Sequence, residues 1–299
     1  MKVAVTGSSG LIGRALVPAL REHGHEVVRL VRRAASGGDE VGWDPEAGTI
    51  DADRLAGVDA AVHLAGEGIA EKRWNEAQKR RIRESRTKGT SLLATTLAAL
   101  EPRPSVLLSG SAVGFYGDGG DEVLDESSPA GTGFLPDLVR AWEAAAQPAV
   151  DAGIRTVFLR TGIVLSPDGG SLAKQLPLFK LGVGGPIGDG RPFWAWIAID
   201  DWVAACIHLL TAEGVSGPVN LTAPEPARNR DVAKAIGRAL GRPAVLPVPK
   251  LGPRLLLGRE LADSLLGDSQ RVVPTRLLES GYEFRHPDVE GALRAMLSR

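Results

Sequence analysis

Gly7, Gly10 and Gly13 recur at every third position, between a short apolar run and a helical pattern. Glycines placed there let an anion approach the backbone, and a helix starting at them offers unpaired N–H groups and a positive dipole end. The chemistry implied is the binding of a pyrophosphate. Arg32 and Arg33 close the second apolar run, where dinucleotide folds meet the adenosine ribose. An acidic residue would bind the 2′-hydroxyl of NAD at that point. Two permanently charged guanidinium groups favour the 2′-phosphate of NADP instead, with Arg32, nearer the strand, the better candidate. The plainer alternative is a pair of arginines solvating a strand end. His63 lies inside an apolar run and reads as packed and hydrogen-bonded, and none of the five histidines has metal-ligand spacing, so no metal site is expected. Cys206, the one cysteine, sits among Ala204, Ala205, Ile207 and Leu209 and reads as a buried thiol.

Positioning those glycines requires a strand, a tight turn and a helix. Lys2–Thr6 suits a buried parallel strand, and Leu11, Ile12, Ala15, Leu16 and Leu20 set helical spacing up to His23-Gly24. A second strand, Glu26–Val31, follows at βαβ distance, the context a dinucleotide motif requires. Further strands are expected near 41–43, at 59–64, 105–109 and 156–160 (continued by 161–165), and at 218–221. Helices are expected over 74–100 with a break at Gly89, over 135–152, over 172–181 within a glycine-punctuated loop spanning 166–193, and up to Leu210, where Asp200 and Asp201 would cap the start. The basic residues Lys79, Arg83 and Arg86 fall on one helical face as a solvated stripe. A short strand at 245–248 is expected in the tail.

The G-x-x-G-x-x-G spacing after Thr6 resembles the short-chain dehydrogenase/reductase superfamily, in particular its extended, epimerase-like branch. The resemblance implies a cofactor site made of Gly7, Ser9, Gly10, Leu11, Ile12 and Gly13, with Leu64-Ala65-Gly66 replacing an Asn-Ala-Gly turn and Ile163 at the nicotinamide end. Ser111 matches the catalytic serine or threonine that holds a substrate oxygen in that branch. The Ser85-Arg86 pair resembles a stretch of atypical members in which the arginine lies near the cofactor, so Arg86 is either cofactor-binding or part of the solvated stripe. The branch's tyrosine and lysine are missing. Aligned on Glu143, their places fall on Leu135 and Val139, and neither of the two tyrosines, Tyr116 and Tyr282, has a lysine four residues on. Leucine and valine transfer no protons. The remaining acid–base candidates are Ser111, Tyr116, Glu67, Asp137 and Arg140, with Tyr116 either catalytic or an aromatic wall.

Over almost the whole chain, Arg160-Thr161-Gly162-Ile163-Val164-Leu165, the loop LGVGGPIGDG at 181–190, Trp196-Ile197 and the tail Gly267-Asp268-Ser269-Gln270-Arg271-Val272-Val273-Pro274 resemble one atypical epimerase-like family, often labelled nucleoside-diphosphate-sugar epimerase. That family implies a Rossmann-type, doubly wound parallel α/β sheet with a smaller α/β C-terminal substrate lobe. It departs from the family at Pro192, Ala195 and Ala198, which strip polar groups from one side of the pocket. The expected division is 1–165 for the dinucleotide-binding domain, with 200–222 returning to it, and 166–299 for the substrate-side lobe.

At 299 residues, 43% hydrophobic and with net charge −1, the chain has a large core and no charge bias towards nucleic acid or an anionic membrane. A lone cysteine, a first strand starting at residue 2 and no apolar run of about eighteen residues imply a cytoplasmic protein with neither signal peptide nor membrane span. Two functions from different classes are expected: an NADP-dependent oxidoreductase or epimerase acting on a carbonyl or hydroxyl of a small polar substrate, a nucleotide sugar among the candidates, or an NADPH-binding sensor that has lost chemistry. Superfamily analogy adds a homodimer built on a helix pair.

Overall fold

The computed structural model describes residues 1–249 and 251–297. Lys2–Thr6 lies inside an eight-stranded sheet, flanked in parallel by Glu26–Val31 on one side and Ala60–His63 on the other. Outward from Ala60–His63 come Val106–Ala112, Arg155–Thr161 and Gly217–Leu221, all parallel. Outward from Glu26–Val31 come Glu40–Asp44, parallel, and Thr49–Ile50, turned back antiparallel. The strand order therefore reverses between Lys2–Thr6 and Ala60–His63. In open parallel sheets a crevice opens at that switch, above the carboxyl ends of the strands.

Alternation along the strands divides the core into two layers. Val3 and Val5 face helices Leu11–Glu22 and Ile199–Thr211 with Leu16, Leu20, Trp202 and Cys206, whereas Ala4 faces helices Glu76–Ala99 and Gln147–Asp151 with Leu93, Leu97 and Ala149. A third cluster, with Leu172, Phe179, Trp196, Ile236 and Leu293, lies outside the sheet. Cys206 is fully buried, as its neighbours predict, and burial pushes its thiol pKa up.

Several elements depart from expectation for identifiable reasons. Helix Glu76–Ala99 runs through Gly89 unbroken, and that glycine packs under the Trp43 and His63 rings. The helix expected over 135–152 is two, Phe134–Ala144 and Gln147–Asp151. Residues 245–248 form no strand, only a single bridge from Val248 to Ile187. Asp200 and Asp201 do not cap helix Ile199–Thr211, whose N-cap is Ala198 with no side-chain bond. They lie inside its first turn, and Asp201 is buried. Its carboxylate accepts from the Tyr282 hydroxyl (2.9 Å), the Arg285 amide (2.8 Å) and the His286 amide (2.9 Å), tying the tail to the sheet layer.

Replacing Asp201 by alanine strips the acceptor from both amides and leaves the Tyr282 hydroxyl only the backbone carbonyl of residue 201 at 3.0 Å. Asp201→Ala should lower the unfolding free energy in urea by about 2–4 kcal/mol, against a few tenths for Asp200→Ala.

Candidate cofactor and substrate site

Thr6 shapes the turn. Its Oγ1 accepts from the amides of Leu64 (3.0 Å) and Ala65 (3.1 Å), so its proton goes to His63 Nδ1 at 2.8 Å. His63 is thereby a neutral ring with its proton on Nε2, and burial, reinforced by the Arg86 charge, lowers its pKa to about 4. It is structural, as its place in the strand suggests. Gly7 takes the left-handed φ of 68° and packs on the Leu64 carbonyl, while a Cβ on Gly13 would overlap the Gly7 carbonyl oxygen. Both positions admit only glycine. Helix Leu11–Glu22 starts immediately above with no side-chain cap, leaving its first amides open.

Those amides face a cleft of about 410 Å³ walled by Gly7, Gly10, Leu11, Ile12, Gly13, Leu64, Ser111 and Ile163 among others, which brings together eight of the expected site residues. A second cavity of about 270 Å³ adjoins it, because Trp142, Thr161 and Ile163 belong to both walls. Arg86 lines the second cavity, not the first. Its guanidinium stacks on Trp142 at 4.9 Å and donates to the carbonyl oxygens of Glu67 (3.0 Å) and Ile82 (3.2 Å), so it is no part of a solvated stripe, and burial lowers its pKa to about 10. Ser9, Ala65 and Gly66 lie on neither wall.

The two arginines at the end of the second strand diverge. Arg33 donates to Glu40 (Nη1 to Oε2, 2.9 Å) and to Ser36, and the Arg33 hydrogen bonds, followed by the Ser36 amide, hold the Glu40 carboxyl down at about 2. Arg32 is exposed and makes no hydrogen bond or ion pair with any described residue. The free fork is therefore Arg32, and Arg33 is committed to its neighbour.

Ser111 lies at the end of the central strand Val106–Ala112, on the cleft wall, and donates to Glu143 Oε1 at 2.6 Å. Glu143 is bound twice by Arg160, from Nε at 2.9 Å and Nη2 at 3.0 Å. Arg160 Nη1 donates to the Tyr116 hydroxyl at 3.1 Å, and that hydroxyl donates to Asn220 Oδ1 at 2.8 Å. Tyr116, either catalytic or an aromatic wall by its sequence, is 3% exposed and lines neither of these two cavities. Burial also raises its pKa. Glu67, Asp137 and Arg140 likewise line neither cavity.

A family model described as the NAD dependent epimerase/dehydratase family matches residues 3–221, covering the eight-stranded sheet and the Gly7–Gly13 turn. The chain belongs to this family. A second model, for a domain of unknown function (DUF1731), matches 248–296. Among curated epimerase family proteins, Mb2239 of Mycobacterium bovis is 44% identical over 97% of this chain and 96% of its own length, and human SDR39U1 is 39% identical over the full length of both. A crystal structure of human SDR39U1 (isoform 2) with NADPH aligns with TM-score 0.90 at 36% identity over 99% of each chain. A nucleoside-diphosphate sugar epimerase from Corynebacterium glutamicum aligns with TM-score 0.83 at 39% identity over all of this chain and 58% of that one.

One stretch of the second cavity's lining is apolar. Leu135 and Val139 stand there with Leu138 and Trp142, on one face of helix Phe134–Ala144, and offer only carbon. The lining also includes Asp268 and Gln270. Neither was identified from sequence, since only tertiary folding brings the tail to the sheet. Trp142 was within reach, being seven residues beyond Leu135 on the same helical face. Among the described residues no cluster of ligating side chains could hold a metal ion, and no helix is long and apolar enough to cross a membrane.

Two measurements check this geometry. Tyr116→Phe leaves Arg160 and Asn220 each one partner short in the interior and should cost about 1–3 kcal/mol of unfolding free energy, more than Ser111→Ala, which leaves the Arg160–Glu143 pair intact. Because the folded-state pKa of Glu40 lies near 2, below its ordinary 4.5, the stability it contributes is present above pH 4.5 and lost as pH falls towards 2. The melting-temperature difference between wild type and Glu40→Gln should accordingly shrink across that window.

Proposed function

We propose that the chain is an NADP(H)-binding, epimerase-like oxidoreductase acting on a carbonyl or hydroxyl of a small polar substrate, with residues 1–165 and the returning segment 200–222 holding the cofactor and 166–299 covering the substrate. The observation that carries this reading is the continuity of the two cavities through Trp142, Thr161 and Ile163, which joins an anion cradle to a second chamber. The residues fit the cofactor. A glycine turn that a Cβ on Gly13 would fill suits a pyrophosphate, and the unpartnered Arg32 suits a 2′-phosphate. The human relative's crystallisation with NADPH supports the same choice.

When bound, the nicotinamide supplies two-electron redox chemistry at carbon. The chain's own part is to bind, orient and exclude water. The open amides of helix Leu11–Glu22 and the Gly7 turn hold negative charge, and Leu11, Ile12, Leu64, Ile163 and Val164 form the dry wall. Ser111 holds a substrate oxygen at the strand end. With its proton on Glu143, the serine oxygen presents lone pairs to a substrate hydroxyl, and donation to a carbonyl oxygen requires it to turn away from Glu143. Leu135 and Val139 favour a second reading, an NADPH-binding sensor without turnover.

Calorimetric titration tests the cofactor assignment. NADPH should bind more tightly than NADH, and Arg32→Ala should weaken NADPH roughly ten- to a hundredfold while leaving NADH unchanged. Equal affinities in the wild type would refute the assignment. NADPH that binds tightly yet is consumed with no carbonyl compound would favour the sensor.

A further inference from the structure

We propose that Asp268 is a catalytic residue, the carboxyl that gives and takes the proton at the substrate oxygen in the second cavity, in place of the absent tyrosine and lysine. The assignment rests on the oxidoreductase reading above. Its first support is position: Asp268 lines the same chamber as Leu135, Val139 and Arg86. A second is rigidity of the backbone on its far side. The Ser269 amide donates to Asp118 (2.9 Å), the Ser269 hydroxyl accepts from the Phe193 amide (3.0 Å) and donates to the Gly120 carbonyl, and Gln270 Nε2 donates to the carbonyls of Val113 and Gly117 (3.1 Å each). The segment is thus pinned to the turn that follows Ser111's strand. The carboxyl itself has no hydrogen bond or ion pair among the described residues, so its capacity is free for a ligand.

The surroundings keep a proton available near neutrality. Asp268 follows helix Arg259–Leu266, whose negative dipole end disfavours a second negative charge. Burial, then the charges of Asp118 and Asp263, raise its pKa to about 6. Asp263 is partly offset by Arg254 at 2.7 Å and Arg259 at 3.7 Å, Asp118 is held by the amides of Ser269 and Gly120, and Arg86 is the cation lining the same cavity. In carbonyl reduction, the hydride's electron pair forms a new C–H bond, the C=O π pair moves onto oxygen, and the Asp268 proton completes the hydroxyl. NADPH is oxidised to NADP⁺ and the carbonyl reduced, and in the reverse direction the carboxylate takes that proton back.

The test combines titration, binding and turnover, with 9,10-phenanthrenequinone as the carbonyl probe. Carbon-13 carboxyl NMR of the free protein, assigned with Asp268→Asn, should place the Asp268 midpoint near pH 6, and Asp118→Asn should move it down. Asp268→Asn should bind NADPH as wild type does in calorimetry, yet reduce the quinone about 10²–10⁴-fold more slowly and lose the fall in rate that wild type shows as pH rises through 6. Asp268→Glu should restore part of both. The assignment is overturned by a midpoint in the ordinary carboxylate range, by Asp268→Asn turning over within threefold of wild type or keeping its pH profile, or by a wild type that binds NADPH and reduces no probe between pH 5 and 8. Loss of NADPH binding in the wild type would overturn the cofactor reading itself, a result distinct from all of these.

Discussion

The ion pair between Arg160 and Glu143 is the interaction on which the site depends. Arg160 is 4% exposed, and an unpaired guanidinium there would cost several kcal/mol, so each of its three nitrogens has been given an oxygen. Two of those oxygens belong to Glu143 and the third to Tyr116. The pair therefore sets the angle of helix Phe134–Ala144 against the sheet, and through Ser111 it reaches the cleft wall. Through Tyr116 and Asn220 it reaches the tail, since Asn220 Nδ2 donates to the Val273 carbonyl and Glu126 accepts from the amides of both Asn220 and Arg276. A buried charge thus sets the orientation of a polar group on the cleft wall.

The dinucleotide half of the molecule was legible because its signals are local. Gly7, Gly10 and Gly13 lie within one turn, and Lys2–Thr6 and Glu26–Val31 carry their burial in their own composition. The choice between Arg32 and Arg33 was legible only in part. That Arg33 is taken by Glu40 depends on a neighbouring strand, which no spacing rule announces. Gly89 misled for a related reason: a glycine inside a helix reads as a break, but here the room it leaves is filled by the Trp43 and His63 rings.

What was illegible is what tertiary structure assembles from distant segments. Asp200 and Asp201 look like a cap because aspartates favour helix starts, yet the acceptor of Asp201 is used by backbone amides of the tail. Tyr116 looked available because glycines surround it. Its hydroxyl is consumed by Arg160 and Asn220, partners that only the sheet register brings near. The second cavity is the extreme case, its lining drawn from distant segments that include residues 112–114, 135–142, 161–163, 193–195 and 264–270.

The attachment of the tail also orders events during synthesis. When the ribosome has made the sheet through Arg160, Glu126 still lacks the amides of Asn220 and Arg276; once made, Asn220 lacks Val273, and Asp201 lacks all three of its donors until Tyr282, Arg285 and His286 emerge. The nascent chain thus carries acceptors whose partners do not yet exist. A protein built this way cannot display a finished second cavity before residues 264–270 have been made and docked.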